Sequence, residues 1–336
     1  MKAYLQNGLA EDINIMYNGD SPFYVQDFKG GYIYPNDSIK YDIDNELVKL
    51  YDTFRDLFFD DINKYYQEVY FLPTFVQQAG QDSDCSLKKN VFEKFLDDEY
   101  ICKIPNLYKH LYLVDCQFLI GSIQNLLDGM EFSFTNFYVK LTDVSNMIFP
   151  DETTNNVWLE LSHTSRQITS LLESYFIKAY SILDMFCRIA YEFEFKMDDF
   201  TKYNKMKSAN KLWGERKKLK IHNTPKTIFE TCELISIIEA LRNEVVHNGS
   251  WELNPKIFTV FKEEKITERF VLFPDIYNGH LAKSTNRKHF FGEGLIVNEV
   301  LPKIHYAFLK RVLETVKMLN TYHDVVNDGE IDTNKC

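Results

Sequence analysis

Between Trp158 and Ile189 apolar side chains return at steps of three and four residues, through Leu161, Ile168, Leu172, Tyr175, Phe176, Ala179, Leu183 and Phe186. That recurrence follows the 3.6-residue turn of an α-helix and does not fit the two-residue alternation of a strand. A stripe of this length predicts one long amphipathic helix, with a possible break near Ser165. The same period runs through Leu47, Leu50, Phe54, Leu57, Ile62 and Val69, predicting a second long helix over 44–71 that Pro73 ends. Further helices are expected at 89–99, 107–127 and 299–325, the last with Pro302 in its first turn. The stretch 77–88 reads as a polar loop, and Gly129 with the aromatic run 132–138 obscures the pattern after 127. Only 13 Gly and 9 Pro in 336 residues leave little material for the tight turns of a β-sandwich. Two short segments do alternate: 23–35 around Gly30 and Gly31, and 257–273 around a Lys-Glu-Glu-Lys turn, each reading as a β-hairpin. The fold class is therefore mainly α. A helical bundle with an inserted β-hairpin is expected over 155–325, with the insert at 251–295. A second, mostly helical domain of unassigned role is expected to precede it over 1–150, with the boundary near Pro150.

The six cysteines form no CxxC pair, so neither a zinc ribbon nor a redox dithiol is expected, and the thiols suit a reducing compartment. No apolar run approaches the length of a membrane span. A cytoplasmic protein with no membrane partner is the expectation. The formal net charge of −11 argues against a general nucleic-acid binder. Its distribution is uneven. Residues 202–220 hold eight basic side chains against Glu215 alone, a net +7 that leaves −18 on the rest of the chain.

The best-punctuated helix follows that basic segment. Thr224-Pro225, or alternatively the capping box Thr227-x-x-Glu230, predicts its start, and Asn248-Gly249 its stop. Its last turns read Leu-Arg-Asn-Glu-Val-Val-His-Asn-Gly, so that Arg242-Asn243-x-x-x-His247 ends the helix. Asn243 and His247 are i,i+4 neighbours, close enough for the amide to orient the imidazole. The partial negative charge of a helix C-terminus favours the protonated ring. Histidine can transfer protons near neutral pH. Arginine keeps its charge and offers a planar fork to phosphate oxygens. A second match to the arginine–histidine spacing, Arg216 and His222, lies in the lysine-rich segment and has Lys217 rather than a polar amide after its arginine.

The arginine–asparagine–histidine pattern, near the end of the helix before the last one, resembles the signature of the HEPN superfamily. These are small helical domains, many of them ribonucleases of toxin and abortive-infection systems. The likeness covers about 155–325, including the long helix around Tyr175–Phe186. It implies a metal-independent endoribonuclease, with no metal and no cofactor, acting in phage defence or toxin-like growth arrest. Arg242, Asn243 and His247 would be its catalytic residues. It also implies a homodimer through the C-terminal domain, since sites of this type face each other across a two-fold axis, and it leaves room for a regulatory protein partner. One branch of the superfamily carries a tyrosine two residues after the histidine; here that position is Gly249.

RNA is the expected partner of the basic segment. Lys205, Lys207, Lys211, Arg216, Lys217, Lys218 and Lys220 would neutralise phosphates, and Trp213 would stack an unpaired base on the approach to the site. The same sequence also fits a solvated linker for this segment. For the whole protein it fits an inactive HEPN-like RNA- or nucleotide-binding module, or a helical interaction protein.

Overall fold

The computed structural model describes residues 2–12, 24–26, 32–33, 38–145, 147 and 156–322. The protein is mainly α. Its helices are α1 (Ser38–Phe58), α2 (Ile62–Val69), α3 (Thr74–Gln77), α4 (Lys89–Leu96), α5 (Glu99–Cys102), α6 (Leu107–Leu141), α7 (His163–Glu194), α8 (Glu233–Asn248) and α9 (Val297–Asn320). Short strands β1 (Lys2–Tyr4), β2 (Ala10–Asp12), β3 (Tyr24–Gln26) and β4 (Tyr32–Ile33) form an antiparallel sheet in the order β2-β1-β3-β4. Strands β5 (Val157–Glu160), β6 (Ile257–Lys262) and β7 (Lys265–Phe270) form a second sheet, and β8 (Ile276–Tyr277) pairs with β9 (His280–Leu281).

Two compact units divide the chain, and each is discontinuous. One comprises Met1–Ile43, Asn125–Ile182 and Pro225–Glu314; the other comprises Asp44–Gln124, Leu183–Thr224 and Thr315–Cys336. The expected division near residue 150 is not where they part, because α6, α7 and α9 each run from one unit into the other. The boundary residues Pro150 to Asn155 lie outside the described residues.

In the first unit the N-terminal strands belong with the C-terminal half. The amide of Arg269 in β7 donates to the carbonyl of Asn7 at 2.8 Å. Asn298 at the start of α9 donates to the carbonyls of Gln6 and Arg269, both at 2.9 Å. The hydroxyl of Tyr138 in α6 donates to the carbonyl of Asn298 at 2.7 Å. Gly8 makes this docking possible. It has φ +78°, and a Cβ there would lie 2.0 Å from the Arg269 carbonyl oxygen. Core side chains of this unit include Phe134, Tyr138, Tyr175, Ile238, Leu241 and Phe308, all essentially inaccessible to solvent.

The second unit packs around the N-terminal half of α6. Leu72, Val76, Ile101, Ile104, Leu107 and Leu111 form one buried cluster. The hydroxyl of Tyr112 donates to Glu192 at 2.6 Å, and Glu192 also accepts the backbone N–H of Ser208 at 2.7 Å. Burying a carboxylate this deeply requires such donors.

Several local expectations need correction. The helix expected over 44–71 is two helices. Asp61 adopts an extended conformation and caps α2 by accepting from the N–H groups of Asn63 and Lys64. Trp158 and Leu161 are not helical. They lie in and just after β5, and α7 starts at His163, where Ser162 and Ser165 accept each other's backbone N–H. The helix expected to end at 127 continues to Leu141. Gly129 lies inside it, and the Lys178 side chain passes within 2.5 Å of where a Cβ would sit. The motif helix starts at Glu233, not at Thr224 or Thr227. Asn223 and Lys226 have φ of 66° and 65°, which no helix accommodates. Thr227 and Glu230 still act as a local box, receiving the N–H groups of Phe229 and Lys226, but around a turn. The expected hairpin at 257–273 forms as β6 and β7, with Glu263 and Glu264 both at positive φ as a tight hairpin turn requires. At 23–35, β3 pairs with β4, while Gly30 and Gly31 lie outside the described residues.

Candidate active site at the end of helix α8

Helix α8 buries Ile235, Ile238, Leu241 and Glu244. Gly249 ends it with φ +86°, its N–H returned to the carbonyl of Val245 at 3.1 Å. The last two turns therefore present Arg242, Asn243, His247 and Asn248 at fixed angles about the axis. At roughly 100° per residue, Asn243 and His247 share one stripe, Glu244 and Asn248 share the next, and Arg242 lies on the far side of Asn243.

The guanidinium of Arg242 lies 4.6 Å from the centre of the Tyr180 ring and donates to Asn243 Oδ1 at 2.9 Å. A flat cation held on an aromatic face and by a neighbouring amide is well fixed in direction. Asn243 thus orients the arginine. Among the described residues it makes no hydrogen bond to His247, contrary to the role expected from the i,i+4 spacing. His247 is exposed at the end of the helix.

A feature that the motif does not contain lies on the next stripe. Glu244, 5% exposed, accepts from Asn248 Nδ2 at 2.9 Å and from Lys288 Nζ at 3.1 Å, and lies 3.3 Å from His289 Nε2. These groups line a cavity of about 400 Å³, together with Trp251, Lys256, Arg287 and Phe291 among others. Lys256 pairs with Glu252 in its wall. Sequence reasoning passed over Glu244 because a charged residue between two motif positions reads as a solvated face. Within the insert at 251–295, no periodic signal would place Lys288 and His289 beside it. Glu173 in α7 is half-buried; burial pushes its pKa up and a hydrogen bond with Ser250 opposes this.

The basic segment sits in the second unit, around a short 3-10 helix, Trp213–Lys218. Trp213, expected to stack a base, is fully buried, and its backbone N–H donates to Asp184 Oδ1 at 2.6 Å. The guanidinium of Arg216 lies 4.5 Å from the Trp213 ring centre and donates to its carbonyl, so this residue is engaged structurally. Lys211 lies over Tyr191 at 4.9 Å, Lys207 donates to the carbonyl of Lys196 at 2.8 Å, and Lys218 pairs with Glu215 at 2.7 Å. Lys205, Lys217 and Lys220 are exposed. Asp184 in α7 belongs to this segment's packing. Among the described residues no group of three or more His, Cys, Asp or Glu side chains is placed to hold a metal ion. Nor is any helix there long and apolar enough to cross a membrane.

Comparison of the chain with protein-family models, with curated proteins and with solved structures finds no match.

Proposed function

We propose that the protein is a metal-independent endoribonuclease of the HEPN type, with Arg242, Asn243 and His247 as its catalytic residues. One observation carries this reading. The guanidinium of Arg242 is held in place by Asn243 and Tyr180, five residues before an exposed imidazole at a glycine-capped helix end. Asn243 takes one of the five guanidinium N–H groups, which leaves donors for a phosphate. His247 takes the proton of the ribose 2′-hydroxyl as that oxygen attacks the adjacent phosphorus. The bond from phosphorus to the 5′-oxygen breaks, and the imidazolium returns the proton to that leaving oxygen. Arg242 meets the charge that develops on the non-bridging oxygens. The products are a 2′,3′-cyclic phosphate and a 5′-hydroxyl end. A homodimer would bring two such helix ends together across a two-fold axis, and the reading places the activity in phage defence or growth arrest.

Incubation of the full chain with single-stranded RNA in EDTA tests the proposal. Cyclic-phosphate ends are expected, with His247→Ala and Arg242→Ala each reducing the rate by roughly a hundredfold or more while the fold is retained. Cleavage that survives both substitutions removes it.

A further inference from the structure

The cavity beside Glu244 has a chemistry of its own. Three cations, Lys256, Arg287 and Lys288, line it against two carboxylates, Glu244 and Glu252. It is thus locally positive in a chain of net charge −11. The carboxylates are used internally. Glu244 fixes Lys288 and His289, and Glu252 fixes Lys256. Arg287 is exposed and has no ion pair among the described residues. Its backbone is fixed, because Ser284 and Arg287 exchange both backbone hydrogen bonds at 2.8 Å around a tight turn with Thr285 at φ 51°. The apolar part of the wall is rigid on one side. Trp251 packs edge-on against Phe176 and Phe273 at 5.6 and 5.9 Å, and Phe291 offers a partly exposed ring. Asn248, Asn254 and Asn286 add amide donors and acceptors.

An open cavity of this volume, lined by cations, amides and a ring face, suits a small anionic ligand that also carries an aromatic base. We infer that it holds one nucleotide of an RNA strand, its phosphate against Arg287 and Lys288 and its base against Phe291. The stripe formed by Glu244 and Asn248 adjoins the stripe of His247 on α8. The inference deepens the ribonuclease reading and rests on it for RNA as the source of the nucleotide. The recognition chemistry stands on the cavity itself.

The experiment measures fluorescence anisotropy of a labelled single-stranded 2′-O-methyl oligoribonucleotide, which cannot be cleaved, titrated with the full chain in EDTA. Arg287→Glu is the test variant, because its exposed side chain is not needed for folding, and circular dichroism checks this. The expected result is that Arg287→Glu weakens binding by roughly tenfold or more and flattens its salt dependence. Equal binding by Arg287→Glu, or no binding by the unaltered chain, overturns the inference. Binding of 5′-AMP without binding of the oligonucleotide overturns the RNA source. Cleavage of ordinary RNA that depends on His247, alongside binding indifferent to Arg287→Glu, removes the cavity and leaves the ribonuclease. Binding that depends on Arg287, with no cleavage by the unaltered chain, removes the ribonuclease and leaves the cavity.

Discussion

His305 illustrates how far one buried residue can differ from its sequence neighbours. Helix α9 carries it into the core of the first unit. Its ring stacks on Phe134 with centroids 4.1 Å apart, and its Nδ1 lies 3.3 Å from the hydroxyl of Tyr175. Burial there lowers its pKa from 6.5 to about 3. The neutral ring is therefore the folded form, and the unfolded chain binds the proton more readily. Below about pH 6.5 the unfolded state gains protons that the folded state refuses, so stability falls with pH until about 3. The loss attributable to this residue is at most about 5 kcal/mol. His305→Gln keeps a polar partner for Tyr175 without titrating in this range. Denaturant unfolding over this interval is expected to show a shallower pH dependence for the variant. An unchanged slope would show that the ring is not buried in the folded state. In the sequence His305 was one more polar residue in an amphipathic pattern. The period marked the helix, but not how tightly its partners would close around the ring.

At the scale of elements, the second sheet depends on a contact between its outer strands. Arg269 in β7 is fully buried, pairs with Glu160 at the end of β5 and donates to the carbonyl of Asp143 at 2.9 Å. Two buried charges hold their cost down only together, and removing one leaves the other unpaired in a low dielectric. Arg269→Met is expected to destabilise the protein by about 3–5 kcal/mol, and the double variant with Glu160→Leu to recover most of that. Urea titration of both single variants and the double variant checks this. Equal destabilisation by the single and double changes would mean that the pair is not a unit. The hairpin 257–273 was legible because its alternation and its turn residues are local. Its third strand was not. Val157-Trp158-Leu159-Glu160 continues the helical period of the residues after it, so only pairing with β6 separates it from α7. In the same way, Asp61 divides one apolar stripe into α1 and α2 without disturbing its period.

For the whole molecule the testable quantity is the assembly. A composite ribonuclease site predicts a dimer, and light scattering on the eluting peak of a gel-filtration run reads it directly. Two chains per particle are expected. A particle of one chain that still cleaves RNA would show that one copy of Arg242 and His247 suffices. Mixing an excess of His247→Ala chains with unaltered ones should then lower the activity only in proportion to dilution, whereas a shared site gives a steeper loss.

The helical class, the β6–β7 hairpin and the glycine stop after His247 followed from sequence alone, because each rests on interactions within a few residues: the apolar period, the turn residues, the cap. The seating of Arg242 on the Tyr180 ring, the burial of Trp213 within its lysines and the grouping of Lys288 and His289 on Glu244 could not be read that way. Each joins side chains far apart in sequence, or depends on which neighbours exclude water. The docking of residues 2–12 onto β7 and α9 belongs with these, since it hangs on Gly8, whose missing Cβ matters only once the Arg269 carbonyl is brought against it. Local periodicity specifies what a segment becomes. Partners distant in sequence specify which of its polar groups are buried, which are paired and which remain available for chemistry.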